Sequence, residues 1–331
     1  MSKYAASHIS PNGPGDARPT ALQIIQDENL TGQLTGKAIF ITGCSSGIGI
    51  ETARALSTTG ATLYLTARDL TKARAALGDV CNNKNVHLLH LDLNSFSSVR
   101  EAAAEFLAKS STLNILICNA GIMIPPEGRT ADGFELQFGT NHLAHFLLIQ
   151  LLKETLLQSA LPSFPSRVVL VSSSAHRQSE VRFTDYNFEH TPYDPWKAYG
   201  QSKTAMIWAA NELDRRFASA GLNAYSLHPG SIVSGLQKHV TEEMRAYFAS
   251  IPGLKENWKS PEQGAATTVW AALARELEGR GGTFLENCRV IGPLGDGAGV
   301  LEPGFAPWVY DRGKAERLYD LSLRLVGLDG C

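Results

Sequence analysis

Lys37-Ala38-Ile39-Phe40-Ile41-Thr42-Gly43-Cys44-Ser45-Ser46-Gly47-Ile48-Gly49 begins as a short apolar strand, turns on glycines and enters a helix carrying Glu51, Ala53, Arg54 and Leu56. An α/β protein opens a phosphate-binding crevice in this order, because N–H groups at a helix start lack helical partners and the helix dipole favours an anion there. A side chain on the turn would hold those groups away from a pyrophosphate. One at the helix start would push the helix off the strand. The spacing Gly-x-x-x-Gly-x-Gly departs from the commoner Gly-x-Gly-x-x-Gly, and by itself the stretch reads equally as a tight strand-to-helix connection.

Outward from this stretch the pattern alternates. Strands are expected at 37–42, 61–66, 86–91 and 113–118, with helices at 48–59, 70–77 and 96–109 between them. The strands are near-continuous apolar runs, as in parallel strands covered on both faces. The second half adds a helix over 134–157, a strand at 167–171, a helix over 198–220, a strand at 222–227, a helix over 263–277 and a strand at 283–285. The expected fold is α/β, a Rossmann-type doubly wound parallel sheet with helices on both faces in a single domain over 21–331. Its ligands sit beyond the carboxyl ends of the strands. Residues 1–20, polar and rich in Pro and Gly, read as a disordered leader. Two long stretches, 175–197 and 228–260, interrupt the rhythm, and loops of that length inside a domain are usually functional.

Composition excludes several classes. The chain has 331 residues, 44% apolar and 19% charged, with a net charge of −2 and no basic block, so nucleic acid is not an expected partner. Cysteines 44, 81, 118, 288 and 331 form no Cys-x-x-Cys pair, which points to a reducing compartment rather than a disulfide frame or zinc site. The longest apolar run, 143–152, contains His145 and Gln150 and falls short of the about 20 residues that span a bilayer. A cytoplasmic protein without stable membrane insertion is expected.

The second strand ends in Ala67-Arg68-Asp69. An NAD site usually places a carboxylate there to accept from the ribose 2′-hydroxyl, whereas an arginine clamps a 2′-phosphate, so Arg68 favours NADP over NAD. Alternatively, Arg68 is a solvated residue and Asp69 caps the helix or takes the ribose. Further on, Tyr199 and Lys203 lie four apart on one helix face, close enough for an ammonium to act on a phenol. A free tyrosine has a pKa near 10, so proton transfer near neutrality asks for a fall of roughly 2–3 units, which Lys203 is placed to supply. Tyr193/Lys197 and Tyr310/Lys314 share the spacing, but Pro195 and Gly313 interrupt them.

With Thr42–Gly49, Asp92, Asn119-Ala120-Gly121, Asn141, Ser172-Ser173, Tyr199/Lys203 and Pro229-Gly230 in this order, the chain resembles a short-chain dehydrogenase/reductase over about 30–326. Thr140-Asn141-His142-Leu143-Ala144-His145-Phe146 and Val171-Ser172-Ser173-Ser174-Ala175-His176 make it similar to the retinol dehydrogenase-like branch. The resemblance implies that Tyr199 passes a proton to or from the substrate oxygen while hydride moves at the nicotinamide, and that Ser173 bonds that oxygen. It implies that Lys203 also binds the nicotinamide ribose and that Asn141 holds a water linking Lys203 to solvent. It assigns the cofactor to Thr42, Gly43, Ser45, Ser46, Gly47, Ile48, Gly49, Arg68, Asp92, Leu93, Asn119, Ala120, Gly121, Tyr199, Lys203, Pro229, Gly230, Ile232 and Ser234. Ser172 and Ser174 read as turn residues. His142 and His145 suggest a metal pair at first sight, but no third ligand is spaced for one, so no metal is expected.

On the substrate side, 26 positions separate Ser173 from Tyr199, more than in most of that family. Tyr186, Phe188, Tyr193 and Trp196 are expected to flank the pocket, with Met123-Ile124-Pro125-Pro126 at its mouth. Within the insertion at 231–260, Leu236, Val240, Met244, Tyr247, Phe248 and Ile251 form an apolar stripe, read as packing on the body in preference to a substrate lid. The expected activity is NADP-dependent ketone reduction on a bulky hydrophobic substrate of steroid, terpenoid, retinoid or polyketide type. The alternatives are a non-catalytic NADP-binding sensor, and an NAD-dependent alcohol dehydrogenase running oxidatively. The helices at 134–157 and 198–220 resemble those that pair between subunits, which leaves a homodimer or homotetramer open.

Overall fold

Ala38 and Phe40 of the first strand face one apolar layer, and Ile39 and Ile41 face the other. Both layers exclude water, so the strand has no polar face and reads as an unbroken run. The computed structural model describes residues 2–329. Its strands are β1 Ala38–Thr42, β2 Thr62–Ala67, β3 Val86–His90, β4 Ile115–Cys118, β5 Ser166–Val171, β6 Leu222–His228, β7 Thr283–Glu286 and β8 Arg289–Val290. They form one sheet in the order β3-β2-β1-β4-β5-β6-β7-β8, parallel except for β8 against β7. Strand order reverses between β1 and β4, and there a doubly wound sheet opens its crevice.

The helices are α1 Ala21–Asp27, α2 Ile48–Ser57, α3 Leu70–Leu77, α4 Phe96–Lys109, α5 Ala144–Ser159, α6 Pro195–Phe217, α7 Glu242–Ser250, α8 Leu254–Asn257, α9 Pro261–Gly264, α10 Ala266–Leu273 and α11 Arg312–Leu325. One core layer holds Phe40, Phe106, Leu147, Trp208 and Leu318; the other holds Ile25, Ile39, Leu56 and Trp270. The helix expected over 134–157 begins with a π-helical turn, Phe138–Leu143, before α5. The helix expected over 263–277 is split into α9 and α10. Pro195 starts α6, with Asp194 accepting from the Trp196 and Lys197 N–H groups, so Tyr193 lies outside the helix.

Two expectations are corrected. Residues 2–20 are not a disordered leader: Tyr4 is buried and its hydroxyl donates to Asp27 at 2.9 Å, while the Gly13 N–H donates to the Glu256 carbonyl at 2.8 Å. This segment is held by long-range hydrogen bonds, which leave no apolar periodicity to read. The C-terminal helix α11 had no place in the sequence reading, because Gly313 looked like an interruption. It lies in the first turn, where Asp311 caps the helix, and Ala315, Leu318, Tyr319 and Ser322 make the buried face. Tyr319 meets Phe146 edge-on at 5.1 Å and bonds Gln150, so α11 covers the outer faces of α5 and α6.

Four cysteines are free thiols, and Cys331 lies outside the described residues. Among the described residues no helix is long and apolar enough to cross a membrane. Leu318, 1% exposed, carries the α11 contact. Leu318→Ala is expected to cost about 2–5 kcal/mol of stability with the secondary structure retained, measured by urea unfolding. A loss below about 0.5 kcal/mol, the range of ordinary surface substitutions, would place α11 outside the core.

Candidate active site

At the switch point the glycines have separate physical reasons. A Cβ on Gly43, at φ +78°, would stand 2.8 Å from the Ala120 Cα and Cβ, and one on Gly49 would lie 2.2 Å from the Gly43 carbonyl oxygen. These two allow α2 to pack on the strand ends. Gly47 sits at the N-cap of α2 at φ +63° with no side-chain cap, so the first-turn N–H groups face the crevice without a side-chain partner. Ser45 and Ile48 are half-buried beside it, and Ser46 is exposed. Across the crevice, Ser234 Cβ would lie 3.5 Å from a Cβ on Gly47, and Ile232 packs with Ile48 against Gly264.

Asn119 braces this corner, its Nδ2 donating to the Thr42 carbonyl at 2.9 Å, while its buried Oδ1 has no partner. Arg68 is exposed at the end of β2. Asp69 accepts from the Lys72 N–H at 2.9 Å through Oδ1 and caps α3. Asp92 is half-buried and accepts from the Asn94 N–H, and the Leu93 side chain is buried. An uncapped helix start and a bare glycine fit a dinucleotide phosphate held at this corner, while the orphaned Asn119 oxygen, an acceptor, suits a hydroxyl or N–H donor.

The catalytic candidates converge next to it. A Cβ on Gly121 would lie 3.2 Å from Asn141 Oδ1 and 3.4 Å from Lys203 Nζ, so a larger residue there would displace both. Asn141 sits in the π-helical turn. Its Oδ1 accepts from the Ile122 N–H at 2.9 Å, and Nδ2 donates to the Ile122 carbonyl at 3.0 Å and to Ser202 Oγ at 2.9 Å. The side chain therefore ties the π-helical turn to the Ile122 backbone and to α6. Ser173 follows β5 and accepts from the Ala175 N–H at 3.1 Å, while Ser172 donates to the Lys203 carbonyl and pins β5 to α6. Tyr199 is 3% exposed, and the Lys203 ammonium stands 5.6 Å from its ring centroid.

Here the electrostatic expectation is corrected. Burial pushes the Tyr199 phenol up to about 12, against a smaller downward pull from the Ser173 hydroxyl. Burial also draws Lys203 down to about 7, and its ammonium donates to the Val171 carbonyl at 2.9 Å. Desolvation is the largest influence on the resting phenol, opposed by the Ser173 hydroxyl.

Two histidines that sequence reasoning left without a role organise the site. His145 Nδ1 donates to the Asn141 carbonyl at 2.8 Å, so its Nε2 accepts from the Thr42 hydroxyl at 2.9 Å. His176 likewise donates from Nδ1 to the Ser173 carbonyl at 2.6 Å and accepts at Nε2 from the Ala306 N–H at 3.1 Å. Both are therefore neutral with fixed tautomers. His142 bonds Ser322 of α11 at 2.8 Å. The only signal for His176 was its place in the serine motif.

The comparisons with known proteins agree with this geometry. Residues 37–245 match the family model described as short chain dehydrogenase. The chain belongs to the short-chain dehydrogenase/reductase family. It is 48% identical over 326 residues to the short-chain dehydrogenase/reductase prx1 of Penicillium roqueforti, covering 98% of this chain and 95% of that one. It is 37% identical over 303 residues to mouse retinol dehydrogenase 12, covering 89% and 88%, which supports the retinol dehydrogenase-like branch. Among solved structures, RhlG of Pseudomonas aeruginosa, described as an NADP active-site complex, superposes with a TM-score of 0.62 at 26% identity, covering 78% and 96%. The protein is an NAD(P)-dependent oxidoreductase.

In this short-chain dehydrogenase/reductase the substrate side differs in part from the sequence reading. No residue of α7 is fully buried, but Met244 and Phe248 are half-buried and pack with Val240 on Tyr199 and Ile124, beside Met123 and Trp196, so the apolar stripe meets the body at the catalytic candidate. The Trp196 ring lies 6.5 Å from Tyr199 and 6.0 Å from Phe248. Of the four aromatics expected to flank the pocket only Trp196 packs beside Tyr199: Tyr186 packs on Phe138, and Phe188 on Tyr193, whose hydroxyl accepts from Gln137. Gln137 Oε1 in turn accepts from Ile124, held at φ +43° with its side chain against Tyr199. That is strain at the place where the pocket needs it.

Burial holds His142 down to about 3, and His145 and His176 down to about 4. Below about 6.5 the unfolded chain takes up these protons and the folded chain does not, so the stability from neutral burial is complete above that pH and is lost as pH falls towards about 4. At about pH 5 each is expected to cost about 2 kcal/mol. Urea midpoints should fall steeply between about pH 7 and about pH 5, and a flat profile would contradict the tautomers assigned above.

Proposed function

We propose that this enzyme reduces a ketone on a bulky hydrophobic molecule with NADPH, the substrate being of steroid, terpenoid, retinoid or polyketide type. The observation that carries the reading is the buried Tyr199 phenol beside Ser173 beneath the apolar cover of Trp196, Phe248, Met244 and Ile124. NADPH, when bound, supplies the hydride to the carbonyl carbon. The Tyr199 hydroxyl gives its proton to the carbonyl oxygen, which the Ser173 hydroxyl positions, and the product is the alcohol. Lys203 places its charge beside the phenolate that forms, and Asn141 holds the turn on which that lysine rests. Burial pushes the phenol up to about 12, so it rests protonated and can serve as the acid in reduction.

NADP is favoured over NAD because Arg68 stands exposed just after β2, where a 2′-phosphate would lie, while one oxygen of Asp69 is taken by the helix cap. Gly43, Gly47, Gly121, Pro229, Gly230 and Ser234 line the path proposed for the cofactor. The cover of α11 over α5 and α6 favours a monomer over pairing through those helices, and the free thiols agree with a cytoplasmic setting.

The deciding experiment is NADPH oxidation with a panel of ketones. Tyr199→Phe is expected to lower kcat about 10²–10⁴-fold with NADPH binding retained. A wild type that binds NADPH but turns over none of the panel would favour the sensor reading, and best turnover of small polar sugars would sink the substrate class. Arg68→Ala should raise the KM for NADPH about 10-fold or more and leave the KM for NADH unchanged, since it removes charge-assisted bonds to the 2′-phosphate alone. Equal changes for both cofactors would remove Arg68 from the site.

A further inference from the structure

Lys259 is a buried cation that hydride transfer does not use. It is 4% exposed, and its ammonium donates to the Pro229 carbonyl at 3.1 Å and to Asn287 Oδ1 at 2.9 Å. Its backbone N–H donates to the Ser231 carbonyl at 2.9 Å, and Ile232 and Lys259 pair as a parallel bridge. One residue thus grips the 229–232 backbone through both its side chain and its main chain. A buried ammonium is costly unless it is fully hydrogen-bonded, so two acceptors fixed at these distances restrict where the loop can sit.

Gly230 is shaped by the same contact. A Cβ there would lie 2.8 Å from both Cε and Nζ of Lys259, so this glycine makes room for the lysine stem and not only for a cofactor. Its φ of +102° adds a second, independent reason for glycine. The anchor extends to the N-terminal segment. Arg18, 3% exposed, donates to the carbonyls of Gly13, Glu256, Asn257 and Trp258, the last at 2.6 Å, and its Nε pairs with Asp16 at 2.8 Å. The three residues before Lys259 are therefore fixed from the far end of the chain.

We propose that Lys259 is a positioning residue that holds Pro229–Ser234 in the geometry needed at the nicotinamide end of the cofactor, with Arg18 holding Lys259 in register. This rests on the reading of 229–234 as cofactor-binding. Lys259→Met keeps the stem and removes the donors. In the full chain it should weaken NADPH binding, followed by nucleotide fluorescence, about 10-fold or more, because bonds from a charged donor are lost. Without nucleotide, hydrogen exchange should quicken at 229–234 while β6 and β7 stay protected, a pattern that general destabilisation would not give. Asn287→Ala, which removes one acceptor and leaves the lysine, should show the same pattern more weakly and serves if Lys259→Met does not fold.

The glycine supplies a cycle. Gly230→Ala should weaken NADPH binding more in the wild type than in Lys259→Ala, since the backbone strain is common to both backgrounds and the clash is not. Equal losses, or a folded Lys259→Met with affinity and exchange within about 2-fold of wild type, would overturn the assignment. A wild type that fails to bind NADPH would instead overturn the cofactor reading of the whole site.

Discussion

The Thr42 hydroxyl at the end of β1 is the knot on which the site depends. It accepts from the Asn119 and Ala120 N–H groups, each at 3.0 Å, and donates to His145 Nε2. A hydroxyl has two acceptor sites and one donor, so nothing is left over. These three bonds join the two strands that flank the switch point to the helix behind them, and His145 carries the connection to the Asn141 carbonyl in the π-helical turn. A π-turn is a costly local conformation, usually retained where function needs a displaced residue. Here it brings the Asn141 amide against Ile122 and Ser202, and so sets the wall beside Lys203.

Around that wall, desolvation governs the chemistry. Tyr199 and Lys203 are both buried, and each is pushed towards its neutral form. A rise from about 10 to about 12 corresponds to about 3 kcal/mol against the phenolate, so the resting pair is a neutral phenol beside a lysine that titrates near neutrality. The i,i+4 spacing predicted adjacency correctly, while the rise of the phenol comes from burial, which spacing does not report. Proximity on a helix says nothing about which carbonyl an ammonium will choose, and the Val171 carbonyl lies within reach.

What could be read from sequence follows from how far apart the causes lie in the chain. Strands β1, β2, β4 and β5 are legible because their two-sided burial imposes largely apolar runs, and Gly43, Gly47 and Gly49 because close packing or positive φ admits no other residue at the turn. Tyr199 and Lys203 are legible because one uninterrupted helix carries both. The bonds of Arg18 in the polar segment before α1, the contact of His176 with Ala306, and the grip of Lys259 on Pro229 join residues 30 to 240 positions apart in the sequence. Polar contacts at such separations leave no periodicity. The stripe on α7 was visible, but amphipathicity shows only that a helix has an apolar side. Whether that side meets the core or a substrate depends on what the rest of the fold leaves open.

The two ends of the chain complete what the doubly wound core does not specify. The sheet and its flanking helices place the glycine corner and Tyr199 without reference to either terminus. The substrate side has no such support, since α7 buries none of its residues and α8 and α9 are single turns. Rigidity there must come from outside the segment, and the N-terminal residues provide it: Gln263 donates to the Asp16 and Arg18 carbonyls while Arg18 binds the carbonyls of 256–258. The far end of the cover has only the Thr241 cap of α7 and the exposed Val233 and Leu236. The cover over Tyr199 is thus held by apolar contacts and the 229–232 backbone by the polar grip of Lys259, so the two sides of the site rest on separate sets of interactions.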